Sequence, residues 1–470
     1  MTVITRGRTG VLIAGGLAAS LALAACGGGS SSTTSSSAAA TSASASASES
    51  ATTDPACAPY AAYGTFPAGT SVSVFTSILP PEQQKFETAW SEFSKCTGIT
   101  VKYEGSDQFE AQLPTRIAGG NAPDIAFIPQ PGLLAKLAGG QNPPVAAPQG
   151  VVDNVDKLWN PAWKNYGTVD GTFFAAPLGS NMKSFVWYSP KVFKAKGYTV
   201  PTTWAELTAL SDKMVADGVK PWCGGIESGG ATGWPSTDWL EQIVLREQGG
   251  ENYDKWVSHE IKFDSPEITK AMDTLAGWMK NPAYVNAGFG DVKTIATTAF
   301  QDAGKPVLAG KCGMLQQASF YANFWVNFKK DATIAEDGDA FAFYLPAISD
   351  TVPTPIVGGG EFVAAFSDKP EVAAFQTFLS SGEFATAKVK EGTWVSANSG
   401  VPIDAYSDPI SKLSAEYLTK TDATFRFDAS DLMPAAVGAG EEWKQMTAWF
   451  AEDKPTAEVL KAIDAAWPSS

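Results

Sequence analysis

The chain of 470 residues contains one histidine, five cysteines and no C-x-x-C pair. Zinc sites draw on those two residue types at short spacing, so this scarcity argues against a metal site of that kind. Ser-His-Asp chemistry would have to rest on His259 alone, which in "VSHEIKF" reads as a surface residue. Positive charge is also short: 34 Lys and Arg stand against 49 Asp and Glu, a net charge of −15. Nucleic acid is therefore excluded as a partner, because phosphate binding needs clustered Lys and Arg. The same balance excludes a purely electrostatic grip on anionic lipid. From Gly27 to Thr53 no large apolar residue occurs. Ordering that stretch would cost backbone entropy that nothing offsets, so residues 26–56 are expected to form a flexible tether. Nor is the apolar run Val11–Ala25 long enough to cross a bilayer comfortably.

What that run does have is the layout of a secretory signal peptide over residues 1–25: Arg6 and Arg8 precede it and small residues close it. Leu23-Ala24-Ala25-Cys26 resembles the lipobox of bacterial lipoproteins, which implies a diacylated Cys26 at the mature N-terminus. Two acyl chains anchor stably where one binds marginally. The expected location is the outer face of a bacterial cell membrane. Without Cys26 the cysteines number four, Cys57, Cys96, Cys223 and Cys312, an even count in an exported chain. Three pairings are possible; the preferred one joins Cys57 to Cys96, pinning the mature N-terminus to the first helix, and Cys223 to Cys312.

Hydrophobic residues make up 44% of the chain, with 26 Phe and 15 Trp, ample for a core larger than one domain usually builds. The pattern along it alternates strands with helices. "SVSVFT" alternates, Pro80-Pro81 opens a helix carrying Phe86, Trp90 and Phe93, and "TVKY" alternates again. A helix over Phe109–Ile117 ends at Gly119-Gly120, and "APDIAFIPQPG" is a short apolar strand entering a Pro/Gly loop. Further on, "PTTWAELTALSDKMVADG" carries a capping box, Thr203 with Glu206. "KPWCGGI", "KCGMLQQASF" and "AFAFYLPAI" read as strands, and "STDWLEQIVLREQGG" and "DSPEITKAMDTLAGWMK" as helices. The remainder is mainly helical. The expectation is an α/β fold of two lobes with mostly parallel sheets.

"PQPGLLAKLA", "KSFVWYSPKVFKAKGYTVPTTWAEL", "KPWCGGIESGGATGWPSTDWLEQIVLR", "GKCGML" and "RFDASDLMPAAVGAGEEWKQM", in this order behind a lipobox, carry a resemblance across the mature chain. It is similar to the carbohydrate-type solute-binding proteins of ABC importers, the broad maltose-binding-protein family, and most of all to the α-glucoside-binding subgroup. The resemblance implies a type II periplasmic-binding-protein fold whose lobes are joined by crossover hinge segments. The lobes would run 57–178 plus 361–410 and 179–360 plus 411–470. It also implies a carbohydrate ligand, a membrane permease as partner, a monomer, no cofactor and no metal.

A pyranose offers hydroxyls that donate and accept and an apolar ring face, so its site needs carboxylates and amides beside flat aromatic rings. Glu227, Trp234, Asp238 and Trp239 lie in one Gly-rich segment that supplies all of these. By resemblance, Asp124, Gln130, Pro131 and Gly132 face the cleft from the first lobe, with Ser77 and Glu82 at the first strand–helix junction. Asn181 and Lys183 follow the first crossover, Ser319 and Phe320 the strand ending at Leu315, and Gly360 and Glu361 mark the second crossover. Trp394 and Asn398 are assigned to a polar-aromatic loop of the cleft, and Trp443 to the core. "EDGDAF", Glu336–Phe341, reads as a solvated acidic turn. The alternative function is a secreted glycoside hydrolase, since paired carboxylates in an aromatic cleft also cut glycosidic bonds.

Overall fold

Val72, Val74, Phe75 and Thr76 are buried along the first strand, Ser71–Thr76, which lies inside a five-stranded sheet. The computed structural model describes residues 54–285 and 290–468; the signal peptide, Cys26 and nearly all of the tether lie outside them. Strand Ser71–Thr76 pairs in parallel with Thr100–Gly105 on one side and Ile125–Ile128 on the other. Phe362–Ala365 then runs antiparallel to Ile125–Ile128, and Ala175–Pro177 antiparallel to Phe362–Ala365. The second sheet has the order Phe341–Tyr344, Phe185–Tyr188, Cys312–Gln316, Lys220–Cys223. Only its last pair is parallel.

The expectation of mostly parallel sheets is thus corrected to mixed ones, for a topological reason. Parallel neighbours need a helical crossover, and such units deliver every strand toward the same edge. Phe185–Tyr188 and Phe362–Ala365 begin where the chain has just crossed from the other lobe. They start at the edge where the parallel strands end, and so run the opposite way.

Fully buried "IAFI" at Ile125–Ile128 suits a central strand covered on both faces. One face packs Phe86, Phe93, Phe127 and Phe375, with Phe93 stacked on Phe378 at 4.4 Å. Opposite it lie Phe109, Leu133, Leu134 and Trp163. The second lobe has a single larger core in which Trp187, Trp222, Trp239, Trp256, Trp325 and Trp449 are fully buried. Both halves of the Thr203–Glu206 capping box form, and Ser265 caps the helix Pro266–Met279. The helix expected from Ser236 starts earlier, at Trp234, after Gly233 at φ 117°, and kinks at Gly249. Cys57–Cys96 and Cys223–Cys312 are bonded, the preferred pairing. His259 is more sheltered than a surface residue: its Nε2 lies 2.7 Å from Asp464 and its ring stacks on Trp467 at 4.0 Å.

Between the lobes, Asn181–Met182, Pro355–Gly359 and Thr424–Phe427 form a small sheet of their own. The crossovers also bond each other directly: Leu178 N–H donates to the Glu361 carbonyl at 2.8 Å and Ser180 N–H to that of Val395 at 2.9 Å. A Cβ on Gly360 would stand 2.3 Å from the Gly179 carbonyl oxygen. Gly360→Ala is expected to cost about 1–3 kcal/mol in urea unfolding, because two paired backbones must separate. Gly277→Ala, in helix Pro266–Met279 with open space around it, is expected to gain about 0.5–1 kcal/mol in the same measurement.

Candidate functional site

The parallel strands of both lobes point their carboxyl ends at one cavity of about 270 Å³. Ligands bind at such ends in open α/β sheets. From the first lobe come Ser77 and Glu82 beyond Ser71–Thr76, Asp107 and Glu110 beyond Thr100–Gly105, and Gln130 beyond Ile125–Ile128. The second lobe supplies Trp234 at the first turn of its helix, Phe300, and Phe320 with Phe324 on a short turn beyond Cys312–Gln316. Asn181, Lys183, Gly360 and Glu361 enter from the crossovers, and Asp428, Ser430 and Asp431 follow Thr424–Phe427. The first lobe and crossovers provide most of the acids, and the second lobe the rings. Trp234 and Phe300 are edge to face at 5.0 Å, and Phe320 lies 6.0 Å from Trp234.

Of the residues singled out from the sequence, Ser77, Glu82, Gln130, Asn181, Lys183, Trp234, Phe320, Gly360 and Glu361 line this cavity. The others sit elsewhere, each for a local reason. Glu227 turns its carboxylate onto the Gly229 N–H at 2.8 Å, serving its own loop. Trp239 is a core residue packed edge-on to Phe450. Asp124 is held by Ser73 and Lys369. Pro131 and Gly132 are buried in the first turn of Pro131–Ala138, where a Cβ on Gly132 would meet the Met433 carbonyl. Ser319 is buried beside the first crossover, where its hydroxyl accepts the Met182 N–H at 3.2 Å. Trp394 packs against Phe86 and Phe384, and Asn398 accepts from the Gly400 N–H. Asp238 lies behind the wall, bound to Lys183. Trp443, assigned to the core, is buried yet reaches the cavity.

Sequence reasoning passed over Asp107, Glu110, Phe300, Asp428 and Asp431. Asp428 and Asp431 lie in "RFDASDLMP", quoted above only for its resemblance. Glu110 follows a strand's carboxyl end by five residues, in the first turn of the helix Phe109–Ala118, and that end of the sheet is where ligands bind.

Electrostatically the floor is a buried ion cluster. Lys183 Nζ donates to Asp238 Oδ1 at 2.9 Å and to Asp428 Oδ2 at 2.5 Å, and lies 5.4 Å from the Trp234 ring. Burial opposes the lysine's charge, but the two aspartates outweigh it and hold its pKa above the usual range. Asp428 keeps its carboxylate low against burial because Lys183 and the Asp431 N–H bond it. Asp238 and Glu241 are pushed up, by burial first and then by neighbouring acids. Oxygens of Asp238, Glu241 and Asp428 lie within 4.8 Å of one another, the spacing of a cation site, and the Lys183 ammonium already supplies the countercharge there. In "EDGDAF", Asp339 is spent on Lys191 and Lys329.

At the opposite wall burial and then Glu82 raise the Glu361 carboxyl to about 7. A carboxyl raised above its unfolded 4.5 binds a proton more tightly when folded, so stability contributed below pH 4.5 declines as pH rises through 7. Glu361→Gln is expected to flatten the stability slope between those pH values, checked by urea titrations across pH.

Two α/β lobes, paired crossovers and a cleft at the strand ends define a type II periplasmic-binding-protein fold. Solved structures agree on that architecture. The solute receptor AcbH, described as exclusively preferring β-D-galactopyranose, is 21% identical with a TM-score of 0.72, over 84% of this chain and 98% of that one. Maltose-bound MalE3 of T. maritima gives 0.62 at 17% identity, over 84% and 98%. Among curated relatives, the alpha-glucosides-binding periplasmic protein AglE of Rhizobium meliloti is 35% identical over 412 residues, 85% of this chain and 88% of its own. The osmoprotective compounds-binding protein GgtB of Synechocystis is 35% identical over 402 residues, 84% and 92%. The chain belongs to the bacterial extracellular solute-binding protein family, whose model matches residues 76–388. It is a substrate-binding component of an ABC importer that works outside the cytoplasm, and not a hydrolase.

Proposed function

We propose that the protein captures an α-glucoside between its lobes and hands it to a membrane permease, acting as a monomer tethered by a lipidated Cys26. The observation that carries the sugar reading is the division of the cavity wall. Trp234, Phe300 and Phe320 offer flat apolar faces, while Ser77, Glu82, Asn181, Lys183 and Glu361 offer the hydroxyl, amide and charged partners that pyranose hydroxyls need. The likeness to AglE over most of both chains supports an α-glucoside as that sugar. The lobes run 57–178 plus 361–410 and 179–360 plus 411–470, closing about the crossovers near Gly360. Cys26 follows an apolar leader and precedes a tether rich in Ser and Ala, which supplies reach from the membrane.

Calorimetry against maltose, trehalose, sucrose and maltooligosaccharides tests the ligand. At least one is expected to bind at roughly micromolar Kd and to be recovered intact; absence of heat with all of them removes the α-glucoside reading. Metabolic labelling with a fatty acid tests the anchor, with Cys26→Ser expected to abolish incorporation.

A further inference from the structure

One corner of the cavity is built differently from the rest. Gln130 is 4% exposed, its Nε2 donates to Glu110 Oε1 at 3.2 Å, and its buried Oε1 has no partner. Asp431, 8% exposed, lines the same cavity, and its carboxyl senses the charge of Glu110. Among the described residues no lysine or arginine pairs with Glu110, Asp107 or Asp431. Lys183, the one lysine of the wall among the described residues, is already bonded to Asp238 and Asp428.

Ionised carboxylates and amide oxygens only accept hydrogen bonds. With one N–H of the Gln130 amide bonded to Glu110 and its Oε1 unpartnered, the corner's two carboxyls and this oxygen ask a ligand chiefly for donors. A sugar hydroxyl answers with one O–H and brings two lone pairs that face the carboxylates. An alkylammonium answers with three N–H donors, no lone pair and a compensating charge, and bonds to ionised acceptors are the stronger kind. We propose that Glu110, Gln130 and Asp431 form an ammonium subsite, and that the saccharide this protein carries bears a protonated amino group. The proposal rests on the sugar-receptor reading and names the substrate class of the same cavity. Burial, above all, holds both carboxyls above their ordinary range, and at Asp431 the charges of Asp428, Asp238 and Glu110 add to it, a repulsion that an ammonium relieves. A uronate or sugar phosphate placed there meets only like charge.

The test is a charge series on the wild-type protein by calorimetry at neutral pH: maltose and trehalose, their monoamino-deoxy isomers, and the matching uronates. At least one amino isomer is expected to bind roughly tenfold or more tightly than its parent, and its uronate counterpart roughly tenfold or more weakly. Glu110→Gln and Asp431→Asn are each expected to shrink the amine-to-parent ratio about fivefold or more, a ratio insensitive to any general loss of binding. If the parent sugars bind and every amine binds equally or more weakly, the ammonium subsite is overturned and the sugar receptor stands. If no saccharide of any charge binds, the receptor reading falls and the subsite with it.

Discussion

Replacing Lys183 by methionine is expected to lower stability by about 3–5 kcal/mol, because it strands buried carboxylates that the lysine now neutralises. Asp238 and Asp428 are each about 1% exposed, and the lysine is 7% exposed. The ammonium is the ionic partner of both. Removing it leaves Asp428 with the N–H of Asp431 and the hydroxyl of Ser430 but no countercharge. The pH profile distinguishes this from a simple packing defect. In the wild type, the Lys183 ammonium holds Asp428 below its ordinary value against burial. A carboxyl with a depressed folded pKa contributes stability that is present above the unfolded value and lost as pH falls through the folded one. In Lys183→Met burial acts on Asp428 without the opposing ammonium, so the acid limb of the stability curve should move to higher pH. Adding Asp238→Asn to Lys183→Met is expected to cost less than the sum of the single changes, since the two residues share one interaction. Urea unfolding across pH measures all of this. An additive double mutant with an unmoved acid limb would show the cluster to be uncoupled.

Trp234→Ala is expected to weaken sugar binding about 30- to 1000-fold, the roughly 2–4 kcal/mol carried by a central aromatic anchor. The ring stands on the cavity wall with Phe300 and Phe320 around it and the Lys183 ammonium 5.4 Å away. It is therefore the flat face over which a pyranose would lie, and Trp234→Phe should recover roughly tenfold of the loss by restoring a smaller face. The comparison residue is five positions on. Trp239 is 1% exposed inside the second core, so Trp239→Ala should cost about 3–5 kcal/mol of stability by opening a void. Calorimetry and unfolding on both variants separate a ligand platform from a core filler. Equal affinity in wild type and Trp234→Ala would remove Trp234 from the site.

Those two tryptophans show how far the candidate site was legible in the sequence. Both occur in "GWPSTDWLEQ", and residue type cannot tell them apart; the starting point of the helix does. With Gly233 as cap, Trp234 sits in the first turn facing the cleft, and Asp238 and Trp239, one turn on, point inward. The same offset removed Pro131 and Gly132: the strand ends at Ile128, Gln130 stands before the helix and faces the cavity, and the next two residues are already packed beneath Met433. Near a strand end a single residue of register decides between ligand and core. Crossover residues were easier, because Asn181, Lys183, Gly360 and Glu361 lie on segments that must pass between the lobes whatever their exact register.

The sequence by itself determined the alternation of strands with helices, the capping box at Thr203, the helix start at Pro266, the even set of four cysteines and the family, but not the crossover and return strands such as Phe185–Tyr188, Phe362–Ala365 and Thr424–Phe427. These depend on local pattern, on composition or on motifs read in series, all of which survive without long-range contacts. Only the tertiary structure decided the antiparallel return strands, the Lys183 cluster and the acceptor corner at Gln130. Asp428 lies 245 residues from Lys183, and Asp431 lies 321 residues beyond Glu110. Such partners meet because strands from two lobes end at one cleft, and no periodicity in the chain encodes which side chains that convergence brings together.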